Sequence, residues 1–130
     1  MIKYKKRIKQ VLDFRGVGNS KIHPTDIDAV LEFDNKYLIL FEIKLKGVAN
    51  SIGQDLVLKR IVDSWEKTNG NAFIIYCEHN TDTQEIVTMQ NTTVKRIYTK
   101  GVNYKRNQNL KECLIKLADY YKITKLKNSL

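Results

Sequence analysis

Three side chains in the first half of the chain, Asp28, Glu42 and Lys44, are of the types that metal-assisted hydrolysis needs. Carboxylate oxygens suit Mg²⁺, which binds through one or two carboxylates and keeps water in the rest of its shell. A lysine beside them can hold an attacking water or neutralise a phosphate oxygen. Neither the E-x-K triplet at 42–44 nor the D-x-D triplet at 26–28 is specific by itself, so the prediction depends on whether they meet.

A predicted β-hairpin is the element that brings the two triplets together. Residues 26–33 alternate in polarity and residues 37–45 are strongly β-prone, with a tight polar turn at 34–36 between them. The apolar run 37–41 is typical of a strand buried on both faces. We therefore expect a hairpin whose second arm is central in the sheet.

The hairpin register decides which side chains share a face. Side chains alternate along a strand, and directly opposed residues have Cβ atoms about 4.5–5.5 Å apart. A slip of one residue would separate the acidic pair from the Glu-Lys pair. With a three-residue turn all four polar side chains share one face, and the opposed pairs are Asp28 with Glu42 and Asp26 with Lys44.

Carboxylates gathered on a central strand are costly, because a buried charge destabilises the fold by several kcal/mol, about 3–5, unless it is paired or bound to a metal. A metal site would explain this cost. The alternative is a solvated strand end, in which Glu42 and Lys44 form an ordinary ion pair and Asp26 and Asp28 belong to a polar strand entrance.

The helix predicted after the hairpin adds one more polar residue, Gln54. Asn50 or Ser51 can cap this helix, and Asn69-Gly70 ends it. A glutamine on a core-facing stripe needs hydrogen-bond partners, although Gln54 could instead be a partly exposed residue of the first turn. The apolar positions that follow it are Leu58, Ile61, Val62 and Trp65.

The sequence His-Pro-Thr-Asp-Ile-Asp-Ala-Val at 23–30, followed by Phe-Glu-Ile-Lys at 41–44, resembles the signature of the PD-(D/E)XK nuclease superfamily. The resemblance covers roughly residues 1–77. It implies an α/β fold of the restriction-endonuclease-like type, a mixed sheet flanked by helices. The compact size and basic N-terminal helix are most similar to Holliday-junction-resolvase-like and phage-encoded members.

The resemblance also implies a role for each site residue. In that superfamily the acidic residues bind one or two Mg²⁺ ions, a backbone carbonyl completes the metal shell, the lysine orients the water, and a glutamine of the next helix supports the site. The residues that match are Asp28, Glu42 and the carbonyl of Ile43 as ligands of Mg²⁺ or Mn²⁺, Asp26 as a secondary ligand, Lys44, and Gln54.

The chain departs from the superfamily pattern at two places. Many relatives carry a glutamate ligand in the first helix, whereas residues 1–12 contain no acidic residue and Asp13 is the nearest candidate. Two aspartates also compete for the first motif position. We prefer Asp28 to Asp26, because the expected register places Asp28 directly opposite Glu42.

The remaining pattern predicts one domain, residues 1–130, with helices on both faces of a sheet. Trp65, Tyr120 and Tyr121 fit core or helix packing better than base stacking. The other predicted elements are an amphipathic helix over 1–13, a buried strand over 72–77 in a parallel pairing, a strand over 94–98, a polar connection over 103–109, and a helix whose apolar stripe is Leu110, Cys113, Leu114, Leu117 and Tyr121.

The charge distribution favours a polyanionic partner, and we expect that partner to be DNA. The net charge is +9, and basic flanks at 1–10 and 95–130 surround an acidic centre. Solubility charge on solvated helices is the simpler alternative. His23 could contact a phosphate, but a loop role is the commoner one for such a residue. The expected DNA-binding residues are Lys5, Lys6, Arg7, Arg15, Lys21 and Lys46.

Together these features predict a Mg²⁺-dependent DNA endonuclease, structure-selective and acting in recombination, repair or phage DNA processing. A resolvase-like role would need two active sites and hence a homodimer. The first alternative is a non-catalytic nucleic-acid-binding module that retains the fold, and the second is an interaction protein whose basic ends dock an acidic partner. Two unpatterned cysteines and the lack of an apolar span predict a cytoplasmic protein that makes no membrane contact.

Overall fold

The computed structural model describes residues 15–18, 24–81 and 85–130. In these ranges the chain is a mixed α/β fold, a five-stranded open sheet with three α-helices, and no helix in them is long and apolar enough to cross a membrane. A short 3₁₀ helix, Met89–Asn91, precedes the fourth strand. The elements are β1 (Ala29–Phe33), β2 (Tyr37–Leu45), α1 (Ile52–Thr68), β3 (Asn71–His79), β4 (Thr93–Thr99), β5 (Val102–Asn109), α2 (Leu110–Tyr121) and α3 (Thr124–Ser129).

The strands lie in the order in which they occur along the chain, β1-β2-β3-β4-β5. Only the β2–β3 pair of this sheet is parallel, and α1 is the crossover between those two strands. The predicted parallel pairing of the strand over 72–77 is therefore confirmed. The interior position predicted for the second hairpin arm is confirmed as well, because β2 lies between β1 and β3.

The sheet separates two apolar clusters, one on each face. On the first face Leu58 and Val62 of α1 pack against Leu38 and Leu40 of β2, and Trp65 lies at the margin. On the second face the helices are α2 and α3, so the predicted arrangement with helices on both faces is confirmed. The fully buried members of that second cluster include Ile39, Phe41, Ile75, Val94, Leu110 and Leu126.

The turn of the first hairpin sets the register that the site depends on. Asp34 and Asn35 both have positive φ angles, 53° and 58°, a conformation that Asp and Asn tolerate better than most residues. The Lys36 N–H donates to the Phe33 carbonyl over 2.9 Å, and Phe33 pairs with Tyr37. The predicted register is therefore confirmed.

Three predictions of local structure were wrong or incomplete. The first strand begins at Ala29 and not at residue 26. The stretch 103–109, predicted to be a polar connection, is β5, and α3 was not predicted at all. The pattern of β5 gave no strand signal because it is an edge strand with residues 102–107 exposed, so none of them has to be apolar.

The aromatic residues of the helices divide between packing and exposure. Tyr121 packs edge-on against Phe73, with ring centroids 5.2 Å apart, and Trp65 lies against the α1 cluster, both as predicted. Tyr120 is 80% exposed and does not pack in the core, but its ring packs edge-on against Tyr121 of the same helix, with centroids 4.8 Å apart. Tyr120 lies next to Asp119 on the exposed side of α2, whereas Tyr121 continues the apolar stripe.

We expect Gly70→Ala to lower the free energy of unfolding by about 1–3 kcal/mol. Gly70 joins α1 to β3 with a φ of 148°, and an added Cβ would lie 2.5 Å from the Lys36 carbonyl oxygen. Urea denaturation measures the loss, with Gly53→Ala as the control. An added Cβ at Gly53 meets no atom within 4 Å, so that helix substitution should stabilise by about 0.5–1 kcal/mol. Equal effects of the two substitutions would contradict the steric explanation.

Candidate functional site

The far end of β2 carries charged side chains on the face that α1 covers. Leu38 and Leu40 belong to the α1 cluster, and because side chains alternate along a strand, Glu42 and Lys44 point to the same face. Glu42 is only 1% exposed, and the Lys44 side chain is 29% exposed. Glu42 therefore occupies the next buried position after Leu38 and Leu40, where an apolar residue such as leucine would be expected.

The carboxylate of Glu42 is poorly compensated by the residues around it. Both carboxylate oxygens are buried without a hydrogen bond from the described residues. Lys44 Nζ lies 3.0 Å from Oε1, which gives an ion pair whose angles are not those of a hydrogen bond. Burial raises the pKa of Glu42 and the negative charge of Asp28 raises it further, while Lys44 opposes both effects. A buried carboxylate of this kind is open to a cation.

Asp28 reaches the site from the residue just before β1. Its Oδ2 accepts a hydrogen bond of 2.7 Å from the Ile43 N–H. The side chain thus takes the place that a main-chain carbonyl would have in a continued ladder, which is why β1 begins one residue later than Asp28. Continuing the β1–β2 register puts Asp28 opposite Glu42 as predicted, although Asp28 itself is not in the strand.

The backbone of Ile43 is directed toward the same open edge. In an extended strand the N–H and C=O of one residue face the same neighbouring strand. Because the Ile43 N–H points to Asp28, its carbonyl also points to the side of β1, beyond the residue where β1 begins. Two carboxylates and one carbonyl are therefore directed to the same end of the hairpin.

Asp26 and Gln54 hold the segment that carries Asp28. Gln54 Nε2 donates to the main-chain carbonyl of Asp26 over 3.4 Å, and Ile27 between the aspartates packs against the α1 cluster. Ser51, one of the two predicted caps, begins α1, with its hydroxyl accepting from the Gln54 N–H. Gln54 therefore contacts the backbone before β1, and Asp26, like Asp28, precedes the strand in which it was predicted to lie.

Lys44 remains charged beside this acidic group. Burial alone would lower its pKa, but Glu42 as the closest partner, followed by Asp28 and Asp26, outweighs that effect and raises it. The ammonium group is thus a permanent positive charge at the mouth of the site. It is exposed enough to meet a second anion.

A second polar cluster next to Glu42 was not predicted. Asp55 accepts a hydrogen bond from the Tyr76 hydroxyl, and its carboxylate lies 2.9 Å from Lys59 Nζ and 3.5 Å from Arg96. Burial opposes the charge of Asp55, but these three partners outweigh it and hold its pKa below the ordinary value. Tyr76 pairs with Glu42 across β2 and β3, a long-range register that no local pattern could reveal.

The predicted DNA-binding residues are only partly covered by the described ranges. Arg15 and Lys46 are exposed, and Lys46 directly follows β2, where its N–H donates to the His79 carbonyl over 2.8 Å. The remaining candidates lie outside the described residues, namely Lys5, Lys6, Arg7, Lys21 and His23, as does Asp13.

No family model, curated protein or solved structure matches the chain. Within the described ranges, no group of three or more His, Cys, Asp and Glu side chains is placed to hold a metal ion. A metal at this site would therefore depend on two carboxylates, main-chain oxygen and water, which is a ligand set that Mg²⁺ accepts.

We expect Glu42→Gln to leave metal-free stability unchanged or to raise it, by up to about 1–2 kcal/mol at pH 8, because the raised pKa shows that the fold disfavours the carboxylate. The favourable contribution of protonated Glu42 is fully present below its unfolded pKa and is lost as the pH rises through the folded pKa. Urea denaturation in EDTA at pH 4 and pH 8 measures this. The difference, variant minus wild type, should become more positive at pH 8, and a difference that becomes more negative would contradict this electrostatic account.

Proposed function

We propose that the protein is a Mg²⁺- or Mn²⁺-dependent DNA endonuclease with a restriction-endonuclease-like fold. The observation that carries the proposal is the buried carboxylate of Glu42, which has no hydrogen-bond partner among the described residues and lies beside Asp28 and 3.0 Å from Lys44. An uncompensated charge in a sheet is costly unless a ligand relieves it. The order hairpin, helix, parallel strand supports the fold assignment, since that order carries the motif residues in the superfamily that the sequence resembles.

The donor set fits a hard divalent cation. Glu42 offers two carboxylate oxygens, and the main-chain carbonyl of Ile43 is directed to the same edge. Asp28 uses only Oδ2 for the Ile43 N–H, so its second oxygen is not needed for that contact, and Asp26 is a secondary ligand. When bound, the cation supplies positive charge to a phosphodiester oxygen and makes water a stronger nucleophile.

The side chains of the site divide the remaining work. Lys44, charged and partly exposed, holds the attacking water by hydrogen bonding and keeps it in line with the phosphate. Gln54 maintains the position of the segment before β1 through the Asp26 carbonyl. Arg15 and Lys46, together with Lys5, Lys6, Arg7 and Lys21, bind the phosphate backbone without reading its sequence.

This chemistry suits a structure-selective enzyme of DNA recombination, repair or phage DNA processing, working in the cytoplasm. If the substrate is a four-way junction, two copies of the site are needed, and the enzyme acts as a homodimer. The competing function is a nucleic-acid-binding module without catalysis. The lack of a three-residue acidic, His or Cys group in the described ranges favours it, and metal-dependent cleavage decides between the two.

Asp28→Asn and Glu42→Gln should each reduce Mg²⁺-dependent cleavage by about 1,000-fold or more, because each removes a proposed metal ligand. The assay incubates branched, single-stranded and duplex DNA with Mg²⁺ or with EDTA. Glu85→Gln is the matched control, the same change at an exposed carboxylate outside the hairpin. The assignment is wrong if either site variant retains full activity, or if wild-type protein cleaves none of the three substrates.

Lys44→Met should lose most of the rate, about 100- to 10,000-fold, and retain metal binding, because its proposed role is exerted in the transition state. Calorimetric titration with Mn²⁺ measures the affinity of the variant, and Lys36→Met at the hairpin turn is the control for loss of a charge. A collapse of metal affinity together with activity would show that Lys44 is instead a structural partner of Glu42.

A further inference from the structure

A row of side chains crosses the sheet from the candidate site to its far edge. Glu42 of β2 pairs with Tyr76 of β3, Tyr76 with Arg96 of β4, and Arg96 with Lys105 of β5. Neighbouring strands are about 4.8 Å apart, so Lys105 lies roughly 14 Å from Glu42 along this row. That distance corresponds to about four base steps of 3.4 Å on one strand of a duplex.

The far end of this row lies in the most one-sidedly charged part of the described chain. Residues 93–111 contain six basic residues and no acidic one. Lys95 is 3.9 Å from Glu78, and Arg96 is 3.5 Å from Asp55. Lys105 and Arg106, by contrast, take no part in the ion pairs of the described residues, and both are exposed.

Arg96 is oriented by its neighbours and does not move freely. Its guanidinium lies 3.6 Å from the Tyr76 ring centroid, and Nη1 donates to Asn103 Oδ1 over 3.1 Å. Stacking and the contact with Asp55 fix the plane of the group and leave further N–H donors for a phosphate. Arg96, held by these contacts, therefore lies between Glu42 and Lys105, whose charge has no ion-pair partner among the described residues.

The opposite face of β5 presents a base-sized aromatic ring beside another cation. Arg106 lies 5.5 Å from the Tyr104 ring centroid, and the Tyr104 side chain is 41% exposed. Exposed aromatic rings among basic groups are the usual platform for unpaired bases. Lys105, on the site face of β5, therefore offers a phosphate contact, and Tyr104, on the opposite face, offers a ring for stacking.

The charge of β5 also indicates which partner suits this edge. An edge strand with unpaired main-chain groups could pair with β5 of a second copy. Antiparallel self-pairing centred on Lys105 and Arg106 would bring like charges directly opposite each other, which is destabilising. A polyanion relieves that charge where a second copy would add to it.

We propose that β5 is the DNA-binding edge of the protein. Lys105 and Arg96 contact the phosphates that lead away from the cleaved bond, and Arg106 and Tyr104 contact the strand beyond the edge. The inference rests on the proposed function for its substrate, since it assumes that DNA enters at Glu42. It assigns individual residues within the basic flank 95–130, which the charge distribution singled out only as a whole.

The test compares two double variants with the same change of charge. Lys105→Glu/Arg106→Glu should weaken binding of fluorescein-labelled duplex and single-stranded DNA at least about tenfold and flatten the log-log salt dependence by about 2, near 0.9 for each lost phosphate contact. Lys36→Glu/Lys67→Glu, in the first hairpin turn and in the last turn of α1, should change the affinity less than about threefold. Anisotropy in EDTA keeps binding separate from cleavage. If urea titration shows that the Glu variant is already unfolded without denaturant, Lys105→Gln/Arg106→Gln replaces it.

Unchanged DNA binding by the β5 double variant would overturn the proposal, and so would either of two further results. One is an equal loss of affinity in both double variants, which would mean that only net charge matters. The other is that sedimentation shows the wild-type protein as a dimer and the β5 variant as a monomer, which would make this edge an interface between copies.

Selective loss of binding in a protein that never cleaves DNA would support the β5 edge and refute the endonuclease. Metal-dependent cleavage with unchanged binding by the β5 variant would support the endonuclease and refute the β5 edge.

Discussion

The register of the first hairpin is the constraint on which the rest of the site depends. Asp34 and Asn35 adopt positive φ angles, and the turn they form fixes every pair between β1 and β2. A shift of one residue would exchange the faces of β2, moving Glu42 and Lys44 together from beneath α1 to the α2 side and separating both from Asp28. The same register brings the Ile43 N–H to Asp28. Two polar turn residues, far from the site, thereby determine whether the acidic groups meet.

The residue at position 42 is unfavourable for its local environment. The apolar alternation of β2 would be satisfied by an aliphatic residue at position 42, and the fold instead buries a carboxylate that Lys44 only partly compensates. By contrast, Asp55 is surrounded by the Tyr76 hydroxyl and two cations, and its charge is stabilised. The two neighbouring carboxylates have opposite electrostatic environments, one closed by protein groups and one left open. Such a difference is expected where one acid is structural and the other binds a ligand.

The parts of the fold and of the candidate site that the sequence could predict are those that depend on interactions between residues close together in the chain. β2 was predicted with its bounds, because its apolar run and polar turn are local signals. Asp28 was placed opposite Glu42, but the start of β1 was predicted too early because a side chain, and not the backbone, closes the ladder at Ile43. β5 carries no apolar pattern, since its side chains face solvent. The row from Glu42 through Tyr76 to Arg96 depends on pairings between distant segments, which composition and periodicity do not encode.

The parallel pairing of β2 and β3 has a consequence for the order of folding. The β1–β2 and β4–β5 hairpins close over a few residues, whereas β2 and β3 are separated by the whole of 46–70, and closing so long a loop is slower and entropically more costly. The hairpin can therefore bring Asp28 and Glu42 together while both are still hydrated. Water leaves Glu42 only when α1 and β3 dock, so the unfavourable charge is dehydrated late in folding, after the geometry that holds it has been assembled.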